Sequence, residues 1–102
     1  MAEVKLVMTW DIRDGKEGEY IEFAMGEFGP GLLRLGVRRI TDAWYTRAGA
    51  GPQVTLGGLL DSAEAAHALL ACADFQRLRD RLFEYIEDFQ WRIIGPNSSV
   101  FY

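Results

Sequence analysis

Two hydrophobic periods alternate along this chain, and their order leaves few folds open. Residues 3–12 alternate, with Val4, Leu6, Met8, Trp10 and Ile12 on one face and Lys5, Val7, Thr9 and Asp11 on the other. A helical stretch follows, opened by Asp14 as the expected N-cap. In it Ile21, Ala24, Met25 and Phe28 fall at i, i+3, i+4 and i+7 and predict the core stripe, with Tyr20 and Phe23 as a flanking aromatic patch. Gly29-Pro30-Gly31 predicts a kink or break, because Pro30 removes a backbone donor. Two alternating runs come next, Val37 to Arg47 and Gln53 to Leu60, joined by a turn at Ala48–Pro52. Asp61-Ser62-Ala63-Glu64 resembles a capping box and opens a second helical region, in which Ala73-Asp74 predicts a fresh cap. A last alternating run spans Phe89 to Ile94, and Val100-Phe101-Tyr102 adds a short edge or reaches a partner.

The order is β-α-β-β-α-β. With 102 residues the chain makes one domain, residues 1–102, with one core. The expected fold is α+β and ferredoxin-like: a split βαβ unit whose four-stranded antiparallel sheet carries its helices on one face.

Charge and residue usage exclude several functions. The net charge is −4 with basic residues spread over all elements, so no nucleic-acid partner is expected. The Arg77, Arg79 and Arg81 group is interrupted by Asp80 and reads as a solvated helix face. Cys72 is the only cysteine and His67 the only histidine, which excludes an internal disulfide and disfavours a zinc site. No apolar run has the length of a membrane span and the N-terminus lacks a signal-peptide core, so a cytoplasmic protein without membrane partner is expected.

The sheet face away from the helices is expected to carry Val7, Thr9, Thr55, Leu59, Arg92 and Ile94. Strand 2 adds either Arg39, Thr41 and Tyr45 or Ile40 and Trp44, according to its phase. So many large apolar groups on one sheet face predict a cover, and a second copy of the same sheet supplies one through a two-fold contact. A homodimer is therefore the expected assembly.

These features resemble the dimeric α+β barrel superfamily, which includes antibiotic-biosynthesis-type monooxygenases and stress-responsive barrel proteins. The resemblance covers nearly the whole chain. It rests on strand 1 followed by Asp14-Gly15-Lys16-Glu17 and on Leu35-Gly36-Val37 before strand 2. Asp61-Ser62-Ala63-Glu64-Ala65-Ala66 and Ala73-Asp74-Phe75-Gln76-Arg77-Leu78 complete it. It implies two sheets facing one another in a barrel, with any small-molecule cleft between one subunit's helices and its own sheet. The haem-degrading branch uses an Asn on strand 1, a Trp near the end of strand 3 and a His in the second helical region. Here strand 1 has no Asn, strand 3 ends in Leu59-Leu60, and Arg79 stands where the haem ligand would be. Haem degradation is disfavoured, and no cofactor is expected.

His67 is the one side chain with an ordinary pKa suited to general-base work near neutrality, and it also fits a surface position beside Leu70. Trp44, Trp91 and Tyr20 suit a flat aromatic ligand, with Arg92 or Arg39 pairing an anionic oxygen; equally, rings of this size fill a small core. Gly57-Gly58 inside a strand marks either floor space for a ligand or room for a neighbouring tryptophan. The leading expectation is a small-molecule-binding barrel dimer with cofactor-independent oxygenation of an aromatic, quinol-like substrate, His67 acting as base. The alternative is a non-catalytic dimer binding a metabolite or a protein. A regulatory amino-acid-binding module of this topology would hold its ligand near Asp11 to Lys16. An RNA-recognition module is excluded, since strand 3 lacks stacking aromatics.

Overall fold

The computed structural model describes residues 3–46 and 52–95 and the backbone of 100–101. The elements are β1 (Val4–Ile12), α1 (Glu17–Phe23), a π-helical segment (Ala24–Phe28), α2 (Gly29–Arg34), β2 (Arg39–Tyr45), β3 (Val54–Leu60), α3 (Ala63–Ala71), α4 (Ala73–Leu82), β4 (Ile86–Ile94) and β5 (Val100–Phe101). The strands form one antiparallel sheet in the order β2-β3-β1-β4-β5. The first four are the ferredoxin-like arrangement that the alternation predicts, and Val100–Phe101 pairs as a short edge on Ile93 and Ile94. The turns expected at Ala48–Gly51 and at Pro96 and Asn97 lie outside the described residues.

The core lies between the sheet and its helices. Val4, Leu6, Met8, Trp10 and Ile12 bury against Tyr20, Phe23, Phe28, Leu32, Leu69, Phe75 and Leu82. Burial of such apolar area is the main stabilising force in the domain. Trp10 is the central ring. Its plane stacks on Phe89 at 5.9 Å, and Phe28 and Tyr20 meet it edge-on at 6.0 and 6.3 Å. The indole Nε1 donates to the Tyr20 hydroxyl at 3.2 Å, giving both buried polar groups a partner.

The first helical region buries a different stripe from the expected one. Tyr20, Phe23 and Phe28 are inside, whereas Ile21 is 51% and Met25 76% exposed. The reason is the π segment. Gly29 N–H donates to Ala24 O, five residues back, so the turn holds an extra residue ahead of Pro30. An uninterrupted 3.6 period running from Tyr20 and Phe23 would turn Glu27 inward; the extra residue brings in Phe28 instead. Glu27 is left to pair with Arg81 of α4, with one contact at 3.0 Å. The expected break at Gly29-Pro30-Gly31 therefore takes the form of a change in helical register, and the helical backbone continues into α2.

Caps also move. Asp14 does not cap α1, whose N-cap is Lys16 without a side-chain bond, and Gly15 takes the turn's positive φ of 80°. Ser62 caps α3, accepting from Ala65 N at 3.1 Å, so the cap is one residue later than a box starting at Asp61. At the break between α3 and α4 the cap is Cys72, whose Sγ accepts from Phe75 N at 3.4 Å. Among the described residues no helix is long and apolar enough to cross a membrane.

Candidate functional site

On the helix side of β4 an aromatic seam reaches the surface. Trp91 lies opposite buried Met8, and Phe89 stacks on Trp10, so both point toward the helices. A register shift between Thr9 and Asp11, with Asp88 at a φ of 57°, marks a bulge just before this pair. Phe83, at the end of α4, meets Phe89 edge-on at 5.3 Å. The Arg79 guanidinium lies 5.6 Å from the Phe83 ring centre. At the other end the His67 ring of α3 stands edge-on to Trp91, 6.2 Å away at 82°.

The seam stays open because little packs beyond it. β5 pairs β4 only at Ile93 and Ile94, leaving the outer edge of the Phe89–Arg92 stretch without a strand among the described residues. Trp91 is 41% and Phe83 37% exposed, and His67 is exposed. The space between the helices and the middle of the sheet is filled by Trp10 and the rings around it. A depression of about 410 Å³ lies elsewhere, between α2 and α4, where Gly31 and Leu78 meet Arg34, Asp74 and Arg77.

The residues singled out in the sequence fall in three places. His67 and Trp91 meet in the seam. Tyr20 is in the core, where burial pushes its phenol above the ordinary 10.0 and the Trp10 hydrogen bond opposes that rise. Trp44, Arg39 and Arg92 lie on the opposite sheet face. For β2 neither expected phase holds throughout. Arg39 pairs with Leu59 and Ile40 with Gly58, but a bulge at Thr41 then sets Asp42 opposite Gly57 and Trp44 opposite Thr55. Arg39, Asp42 and Trp44 consequently share the open face, while Ile40 and Tyr45 turn to the helix side.

The glycine pair in β3 proves to serve two different neighbours. A Cβ on Gly57 would lie 2.7 Å from Asp42 Oδ2, on the open face, and one on Gly58 would lie 2.7 Å from Val37 Cγ1, on the helix side. Neither position makes room for a tryptophan. Above Gly57, Lys5 Nζ pairs with Asp42 Oδ2 at 2.7 Å, and this hydrogen bond holds the Asp42 carboxyl below its ordinary 3.8.

Arg79, Phe83 and Phe89 have no place in a ligand site read from the sequence. The signal was present: Arg79 and Phe83 are four apart on one helix, and Phe89 and Trp91 two apart on one strand. Only the packing of α4 on β4 joins the two pairs.

By sequence, the chain matches no family model and no curated protein. By structure it is similar to a NIPSNAP family protein from Agrobacterium tumefaciens, with a TM-score of 0.67, 25% identity, and 93% of this chain and 86% of that one covered. It is also similar to an antibiotic biosynthesis monooxygenase candidate from Nitrosomonas europaea, at a TM-score of 0.63 and 18% identity over 91% and 88% of the two chains. The chain has a ferredoxin-like α+β fold, which it shares with these proteins. A third protein of this fold, from Bacteroides fragilis, is described as dimeric and of unknown function; its TM-score is 0.62 and its identity 15%, over 93% of this chain and 97% of that one.

Proposed function

We propose that this protein is a homodimer that binds a small, flat aromatic molecule on the seam of His67, Phe83, Phe89 and Trp91. The observation that carries this reading is the exposed Trp91 ring with His67 set edge-on against it. Burying a ring against Trp91 and Phe89 removes apolar area from water on both partners. The imidazole beside it takes or gives a hydrogen bond at the ligand's rim.

The dimer forms through the open sheet face. Leu59, Ile94 and the 65%-exposed Trp44 give that face its accessible apolar content, Val7 beneath them being buried within the chain itself, and an isologous contact covers it. The Bacteroides fragilis protein of this fold is described as dimeric, which supports a dimer without specifying its interface.

Two activities fit such a protein. In cofactor-independent oxygenation, His67 takes the proton of a phenolic substrate and the electron-rich anion reacts with dioxygen. One oxygen atom enters the ring carbon as a carbonyl, the other leaves as water, and a naphthol ends as a quinone. Binding without turnover is the second reading, and two observations favour it. Trp10 and its neighbours fill the space where a dry cleft would lie, and among the described residues no carboxylate hydrogen-bonds to His67. Oxygen uptake with naphthols decides between them. Uptake that falls to the uncatalysed rate in His67→Ala identifies the oxygenase; binding without uptake identifies the non-catalytic protein.

A further inference from the structure

Arg79 holds a donor that its own fold leaves unused. Its Nε is buried and, among the described residues, has no hydrogen-bond partner, while the terminal Nη2 makes one long contact there, at 3.4 Å, to the exposed Asp80. A buried guanidinium N–H without an acceptor is a standing cost, and a charged donor loses more than a neutral one. The same guanidinium lies against Phe83, at one end of the seam that finishes at His67.

We propose that Arg79 is the anion anchor of the seam, and that the ligand is an aromatic carboxylate rather than a neutral ring. This inference rests on the seam being the binding site, as above. The ligand's ring lies along Phe89 and Trp91, and its carboxylate takes the Nε and Nη2 edge of Arg79 in the two-pronged geometry that guanidinium offers. Phe83, the ring against the guanidinium, sits at the end of α4 and is more than a third exposed, so it turns aside to admit the carboxylate. Arg39 and Arg92 lie on the other sheet face and do not reach this ligand.

The test uses the full-length protein and two probes, 1-hydroxy-2-naphthoate and the uncharged 1-naphthol. Binding is read from the Trp91 indole N–H shift by NMR, assigned with Trp91→Phe. The carboxylate should bind about tenfold more tightly than the naphthol, as one or two charge-assisted bonds require. In Arg79→Met that preference should vanish with naphthol binding unchanged, and Arg79→Lys should restore part of it. The urea midpoint of ligand-free Arg79→Met should be unchanged or raised, because the substitution removes an unsatisfied donor; a lowered midpoint would show a structural role and overturn the proposal. Equal binding of both probes at Trp91 would overturn the anchor and leave the seam intact. No Trp91 shift with either probe would overturn the seam and the anchor together.

Discussion

Lys5 and Asp42 form an ion pair at 2.7 Å that passes over Gly57, joining β1 to β2 across the strand between them. The pair lies on the open sheet face, with side chains 36% and 27% exposed. A residue with a side chain at position 57 would stand where the pair meets. The glycine in mid-strand is thus matched to a cross-strand contact, and the contact depends on the Thr41 bulge that turns Asp42 to this face.

The pair gives stability a defined acid limb. Because the folded Asp42 pKa lies below the ordinary 3.8, the unfolded chain takes up the proton first as pH falls. The contribution is complete above the unfolded value and is lost as pH drops through the folded one. Asp42→Asn should therefore lose no more than about 1 kcal/mol at neutral pH, less at high salt. Urea titrations of both proteins should converge once the pH has fallen through the folded value. A loss of equal size at neutral pH and at the acid end would refute the assignment.

The two glycines of β3 should respond differently to alanine. Gly58→Ala sets a methyl 2.7 Å from the γ-carbon of buried Val37, a stiff β-branched neighbour, and should cost about 1–3 kcal/mol. At Gly57 the one atom closer than 3.0 Å is the terminal Asp42 Oδ2, which can move aside; Lys5 Cδ and Thr41 Oγ1 lie at 3.2 and 3.3 Å. Gly57→Ala should stay within about 1 kcal/mol of wild type, its loss being that of a partly exposed ion pair. Chemical denaturation of the two variants checks the order.

Tyr20→Phe removes the acceptor of the Trp10 indole N–H, with Trp10 only 1% exposed. The orphaned donor should cost about 1–3 kcal/mol. The folded phenol pKa is raised above 10.0, so between that value and the folded one the unfolded chain has lost its proton and the folded chain has not. Wild-type stability should fall with rising pH across this window, and the corresponding slope should be absent from Tyr20→Phe. Alkaline unfolding curves followed by near-ultraviolet circular dichroism measure both effects.

The proposed assembly and the proposed ligand site use opposite sheet faces, so they should separate by mutation. Trp44→Glu should weaken self-association by about thirtyfold or more, the scale of an interface anchor. Trp91→Ala should leave self-association unchanged and abolish binding of aromatic probes. Sedimentation equilibrium with fluorescence titration reads both, and loss of the dimer in Trp91→Ala would contradict the arrangement.

The alternation of Val4, Leu6, Met8, Trp10 and Ile12, and of the runs that follow, determined the strands, their order and the face of β1 that meets the helices. Patterns of period 2 and 3.6 are local, and burial of one face acts on each of them independently of its partners. What the tertiary structure decided are offsets of a single residue. The π segment before Pro30 exchanges Phe28 for Glu27 in the core, and the bulge at Thr41 turns Trp44 to the open face. The bulge at Asp88 precedes Phe89 and Trp91 on the helix side. Each strand bulge inverts the facing of the residues beyond it and the π segment rotates those beyond it by about 100°, and each is matched to what the neighbouring element can accept: room beside Gly57 for Asp42, a ring to stack on Trp10. The sequence shows His67 and Phe83 on one side, and Trp91 and Phe89 on the other, as separate residues on three elements. Their approach belongs to the packing of α3 and α4 on β4, which no local period encodes.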